Sequence, residues 1–400
     1  MDTIIDLRRK EFDASQRVGA LRRLVFDDGR LDEISNLAAA ERALQDLSDA
    51  RSLAESKAGV GHGSIVAVKA ASNLMGPLTT GIEVKVDLCM ATIPTALVHL
   101  FDAATRPLIR FEVRNTGAKT KRLRFISYVE GYSAQSVETL EIDSLHTVPV
   151  VQLPTFFPDR LRSVTELTRA SVNIEVQDLD ARTEVHRTVP IWLLARTTAP
   201  LQVRDPSSGK WLDMTDYLGA FVTPNAAVVM EFLPTVVAKH PSGRLVGYQV
   251  NEDEVTSQVK AVYEALAASG TKYINSVIQF TPEPGSANQR VRLPRESLRN
   301  TSANCIDGTV LVASLLEAIS LHPAMVIVPG HAFVAWETFR NSGTWRYLET
   351  TMIATHSFAD ACTRGDQTAE KWQEQNATNP GMFKRLALRD LRAQGITPLE

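Results

Sequence analysis

Cys305, His331 and Glu349 follow one another in the order that a cysteine nucleophile, its base and an orienting acid require. Cys305 lies in Asn-Cys-Ile-Asp-Gly-Thr-Val-Leu-Val-Ala-Ser-Leu-Leu-Glu-Ala-Ile, from Asn304 to Ile319. Helix propensity is good from Thr309 onward, and Pro323 bounds the run. The thiol therefore falls in the first helical turn or just before it, where unpaired backbone N–H groups and the helix dipole favour an anion. That setting promotes the thiolate, the nucleophilic form of cysteine. The same N–H groups, that of Cys305 included, can face a developing oxyanion. His331 follows in Pro-Gly-His-Ala-Phe-Val-Ala-Trp, and Glu349 is the centre of Tyr-Leu-Glu-Thr-Thr. In this order His331 is the candidate general base and acid, and Glu349 the carboxylate that holds its tautomer and stabilises its charged form.

Both partners of the thiol are expected on strands. Ala324-Met-Val-Ile-Val is a short apolar strand that Gly330 ends. His331-Ala-Phe-Val-Ala-Trp alternates as a second strand, Asn341-Ser-Gly supplies a turn, and Arg346-Tyr-Leu-Glu-Thr-Thr returns as a third. With an even separation, an antiparallel hairpin whose turn is centred on a residue puts His331 and Glu349 on one face. A turn centred near Arg340 sets them directly opposite, and one centred at Ser342 leaves them several residues out of register. The sequence allows both. Asp307 is expected to stabilise the helix start and the neighbouring loop, with a direct role in the site as the alternative.

At these residues the chain resembles the transglutaminase-like (papain-like) superfamily, over about 65 residues from Gln289 to Met352. Cys-Ile-Asp at 305–307, Gly-His at 330–331 and Leu-Glu-Thr at 348–350 match the order of its signatures. Gln289-Arg-Val-Arg292-Leu-Pro294 and Gly330-His-Ala-Phe-Val334 look like those of bacterial transglutaminase-like domains. The resemblance implies Cys305 as nucleophile, His331 as base and acid, and Glu349 as orienting group, where the family more often has aspartate. It also offers Gln289 as an upstream oxyanion donor, against a plain role as a turn residue before Pro294. The implied chemistry is acyl transfer through a thioester without a cofactor or metal. Peptide or amide hydrolysis on a protein substrate comes first, as a transglutaminase-like cysteine peptidase. Protein cross-linking, deamidation and a non-catalytic binding scaffold are the alternatives. No zinc cluster or calcium loop is visible in the sequence.

Such a site needs a frame, and the chain is long enough to build one from more than one core: 400 residues predict two or three domains. Hydrophobic residues at 44% and charged residues at 22% describe an ordinary globular protein, and a net charge of −3 argues against a general nucleic-acid-binding surface. No apolar stretch has the length of a membrane span, and the start lacks the pattern of a secretory signal. Three cysteines without framework spacing fit a reducing, cytoplasmic compartment.

The expected fold class is α+β with three parts. Residues 1–60 read as a helical arm, with Leu31, Ile34, Leu37, Leu44 and Leu47 at helical spacing, packed on the body or used for self-association. Residues 65–203 alternate with period two in several short runs, including Ile82–Cys89, Leu108–Arg114 and Leu123–Val129. They predict an antiparallel, immunoglobulin-like β-sandwich for interaction, with a hairpin turn at Asn115-Thr-Gly. Residues 210–400 read as the transglutaminase-like catalytic domain. It includes an amphipathic helix through Val255, Val259, Val262 and Leu266, and a polar, helical tail beyond Thr363.

Overall fold

A computed structural model describes residues 81–204, 211–274 and 287–399, together with Leu78 and scattered positions among the first 50. The chain is mixed α+β and divides into two compact units. One is Met1–Asp213 with Gln279–Asn288, and the other is Met214–Ile278 with Gln289–Glu400. Most of the arm expected over 1–60 lies outside the described residues, Leu31 and Ile34 included. Leu37 is helical and buried.

The first unit is built from two antiparallel-based sheets. Strands β1 (Ile82–Leu88), β3 (Ile109–Asn115) and β6 (Thr147–Gln152) form one, in the order β1-β3-β6. The other runs β2-β8-β7-β4-β5, from β2 (Thr92–Ile93), β4 (Lys121–Val129), β5 (Ser136–Ile142), β7 (Thr168–Asp178) and β8 (Thr183–Leu193). Period two explains the layering. Ile82, Val84, Val86 and Leu88 on β1 face the same core as Leu123, Phe125 and Val129 on β4, and Glu83 and Lys85 face water. Phe111 and Phe125 meet across the two sheets, with ring centroids 5.1 Å apart.

The Asn115-Thr-Gly segment is not the turn of a hairpin. β3 pairs with β1 and β6, whereas β4 pairs with β5 and β7, so the segment carries the chain from one sheet to the other. Asn115 is fully buried there. Its amide donates to the carbonyls of Lys119 (2.8 Å) and Ile142 (2.9 Å), and its oxygen accepts from Gly117 N–H (3.0 Å). Turn chemistry bends a chain; burial decides which strands pair.

The second unit holds the three candidate residues. Its helices include α1 (Ala227–Val237), α2 (Glu252–Ala268), α3 (Cys305–Ala318) and α4 (Phe358–Thr378). Its largest sheet among the described residues is β11-β10-β9-β12, all antiparallel. The strands are β9 (Pro323–Val328), β10 (His331–Glu337), β11 (Trp345–Leu348) and β12 (Lys384–Ala387). β12 lies inside the tail that the sequence reads as helical. Helix α3 packs on β9 and β10 on one side and meets α1 and α2 on others. Ile306 to Leu316 are consequently all buried, which is the pattern of a central helix. Every residue of β10 is buried as well, so the strand is covered on both faces although its sequence alternates.

The open edge of β11 is closed by α4 rather than by another strand. A Cβ added at Gly365 would stand 2.7 Å from Leu348 N and from Tyr347 C, so glycine is what lets the helix touch the strand backbone. Asp366 then takes the place of a neighbouring strand. Its carboxylate accepts from Tyr347 N–H (3.0 Å) and from Arg346 Nε (3.0 Å).

Candidate active site

Cys305 is the first residue of α3, and a reciprocal cap fixes the helix start around it. The Asn304 side chain accepts from Asp307 N–H (2.8 Å), and the Asp307 carboxylate accepts from Asn304 N–H (3.3 Å). Asp307 also accepts from Arg292 N–H (2.8 Å), which ties the preceding loop to the helix. Burial pushes its carboxyl above the usual range, although the bonds from Arg292 and Asn304 oppose that. The cap satisfies the N–H of the third helical residue. No acceptor for the N–H of Cys305 is found among the described residues.

Two glycines bring the strands to this helix start. Gly330, with φ 74°, follows Pro329 in the two-residue turn that joins Val328 to its pairing partner His331. Proline followed by a left-handed glycine is the pattern of a type II turn, and it ends with the imidazole at the first position of β10. Gly308 lies one turn into α3. A Cβ there would come 3.1 Å from Thr350 Oγ1, so the missing side chain lets the Glu349–Thr350 segment approach the helix. Thr350 Oγ1 reaches the Cys305 carbonyl at 3.5 Å.

The hairpin register decides how His331 and Glu349 meet. Val334 pairs with Leu348 and Trp336 with Arg346, so the turn centres on Asn341, whose φ is 59°. Continued beyond Leu348, that register would set Glu349 opposite Phe333, and His331 opposite Thr351. Histidine and glutamate share a face but stand diagonally. The extra methylene of glutamate spans the offset: Glu349 Oε2 lies 2.7 Å from His331 Nε2. The other oxygen, Oε1, accepts from Thr351 Oγ1 (2.7 Å) and Thr351 N–H (3.1 Å).

Cys305 also hydrogen-bonds the imidazole ring. Phe333 stacks beside the imidazole at 5.8 Å. His331 and Glu349 are buried, while Cys305 is half-buried and so open to a reactant. Burial drives the His331 pKa down. The Glu349 carboxylate, then the bonds to Cys305 and Glu349, more than offset it and carry the group from 6.5 up to about 10. Burial raises Glu349, and the charge and bond of His331, with the two Thr351 bonds, overcome it and hold the carboxyl below its usual range.

The other candidates sit elsewhere in the frame. The Gln289 side-chain amide donates to the Arg290 carbonyl (2.8 Å), and no bond joins it to Cys305. Arg292 reaches Ser302, at 3.1 Å from its hydroxyl, and so braces the strand before Cys305. Trp336 is wholly buried and lies on the face of β10 away from His331. Of the other cysteines, Cys362 is buried and its thiol is pushed up to about 12 by burial; Cys89 is raised as well, chiefly by burial. Thr351 carried no signal in the sequence beyond its place two residues after Glu349.

No group of three or more His, Cys, Asp or Glu side chains suited to a metal ion occurs among the described residues, and no helix among them is long and apolar enough to cross a membrane. No family model matches the chain, and no curated protein matches it. Among solved structures the chain is similar to one described as a "Putative Cysteine Protease from Cytophaga hutchinsonii". The identity is 9%, the match covers 61% of this chain and 79% of that one, and the TM-score is 0.21. A likeness of that size carries no argument about chemistry, which rests on the side chains themselves.

Proposed function

We propose that the second unit is a papain-like, transglutaminase-like catalytic domain that performs acyl transfer through a thioester on Cys305, with peptide or amide hydrolysis on a protein substrate as its reaction. One observation carries this reading: a half-exposed thiol at a helix start is hydrogen-bonded to a buried imidazole, itself bonded to a buried carboxylate at 2.7 Å. In this reaction Cys305 attacks the substrate carbonyl as the thiolate, opposite the His331 imidazolium. The carbonyl electrons move onto oxygen, which the N–H of Cys305 stabilises. As the tetrahedral adduct collapses, the C–N bond breaks and His331 gives its proton to the departing amine. The imidazole, now neutral, takes a proton from water as water attacks the thioester. Collapse of the second adduct releases the acid and returns the site to its starting state. Glu349 stays ionised throughout and keeps the ring oriented.

The β-sheets of the first unit, read as an immunoglobulin-like sandwich, serve in this proposal to hold the protein substrate. Iodoacetamide labelling followed by peptide mapping tests the nucleophile. Wild type is expected to be alkylated at Cys305 faster than at Cys89 or Cys362, and His331→Ala to slow that labelling at neutral pH. Equal rates at the three cysteines, or no loss in His331→Ala, would rule the reading out.

A further inference from the structure

The Glu349 carboxylate performs its contact with His331 under a handicap. Strand β11 ends at Leu348, so no ladder bond to β10 fixes the backbone of Glu349. Its N–H is instead turned toward α4, to the Ala361 carbonyl at 3.1 Å. The side chain must then reach back diagonally by two residues, over Cα separations of about 7–8 Å for such pairs. A glutamate has three side-chain torsions to lose in doing so. Nothing on β10 holds it in that pose except the imidazole it serves.

The restraint comes from the opposite side. Thr351 gives Oε1 two donors, its hydroxyl at 2.7 Å and its N–H at 3.1 Å, leaving Oε2 for His331. The N–H is presented by the single 3-10 turn Thr350–Met352, for which Glu349 itself is the cap. The hydroxyl is carried on a β-branched residue with few χ1 choices. Because the chain leaves the strand at Leu348 and enters this turn, both donors of Thr351 fall within reach of Oε1. Two donors on one oxygen and the imidazole on the other fix the plane of the carboxylate.

We infer that Thr351 is a positioning residue of the site, which locks the Glu349 carboxylate against His331 and thereby sets how firmly the imidazole holds its proton. The charged and titratable groups that bear on His331 are Glu349, from the segment after β11, and Cys305, from α3; Phe333 on β10 adds an uncharged face. Glu349 is faced by His331, and its charge is felt by Tyr263 of α2, whose hydroxyl is held by the Met352 and His356 carbonyls. Asp307 on α3 is engaged by Asn304 and Arg292. This assignment rests on the acyl-transfer reading for its purpose, but the titration of an imidazole is measurable whether or not any substrate turns over.

The experiment uses the full chain with labelled histidine Cε1 and follows the His331 resonance through pH by NMR. It compares wild type with Thr351→Val, which is isosteric but lacks the hydroxyl, and with Thr351→Ser, which restores it. If the hydroxyl positions the carboxylate, Glu349 samples other rotamers in the Val variant. The His331 midpoint then falls by about one pH unit, a tenfold loss of proton affinity. Alkylation of Cys305 by iodoacetamide slows with it, and Thr351→Ser returns both. An unchanged midpoint in Thr351→Val overturns the inference, even where the melting temperature drops, because that is the signature of a merely structural threonine. A raised midpoint overturns it too, since it would mean that the hydroxyl only weakens the carboxylate as a base. Failure of the wild-type cysteine to outpace Cys89 and Cys362 would instead overturn the acyl-transfer reading and leave the titration result standing.

Discussion

Replacing Glu349 by Gln removes a charge while keeping the shape and one acceptor oxygen, and it isolates what the carboxylate does for His331. In the wild type, burial depresses the imidazole, yet the carboxylate and the two hydrogen bonds lift it from 6.5 to about 10. At about 1.4 kcal/mol per pH unit, the site favours the imidazolium by roughly 5 kcal/mol. The first of the raising influences is the charge that the substitution deletes. Burial, the largest single influence, is left in place. The His331 midpoint in Glu349→Gln is therefore expected to fall to the ordinary imidazole value of about 6.5 or below. At pH 8 the wild-type ring then carries its proton, and the variant ring has lost it. NMR titration of His331 reads the midpoint directly. Iodoacetamide labelling of Cys305 at pH 8 gives the chemical consequence, expected as a slower rate in the variant. A Glu349→Gln midpoint that stayed within a pH unit of wild type would refute the claim that the carboxylate, and not the local hydrogen bonding, keeps the proton on the ring.

The same pair predicts how stability follows pH. The His331 pKa is raised on folding, so its contribution is fully present below about 6.5 and drains away as pH rises toward about 10. The Glu349 pKa is lowered, so its contribution is present above 4.5 and is lost as pH falls through the lower folded value. These are two views of one interaction. Chemical denaturation across pH should show wild type losing stability on both sides of that window relative to His331→Gln, and parallel curves would contradict the pairing. Gly365→Ala should destabilise by about 1–3 kcal/mol, because its Cβ meets the β11 backbone at 2.7 Å and no flexible side chain is there to yield. A melting temperature equal to wild type would show that α4 does not rest on that edge. Asn304→Ala should cost about 0.5–2 kcal/mol by leaving Asp307 N–H without its cap, again read by denaturation, with no change as the contrary result.

How much of this was legible beforehand differs residue by residue. The start of α3 was readable, because capping side chains and an apolar run act locally and Cys305 could fall only near the first turn. The shared face of His331 and Glu349 follows from parity only for a turn centred on a residue, as the turn at Asn341 is. Their contact does not. It depends on a turn centred at Asn341 in left-handed conformation, and one residue either way changes every pair. The Asn115 segment bends as its residues demand, but the choice between hairpin and crossover lies with the burial of distant strands. β12 is not legible in the sequence, because a four-residue strand has little periodicity of its own and is made by its pairing with β9. The role of Gly365 was invisible for the same reason: a close approach is a property of two segments, and the sequence shows one at a time.

The central claim, a thioester formed on Cys305 with help from His331, is tested most directly by treating the protein with p-nitrophenyl acetate and locating the adduct by mass spectrometry. The expected result is a burst of p-nitrophenol and one acetyl group on Cys305, lost on standing at neutral pH. The adduct should be absent in Cys305→Ala and strongly reduced in His331→Ala. Acetylation spread equally over Cys89, Cys305 and Cys362, or a Cys305 adduct that forms just as fast without His331, would contradict the account.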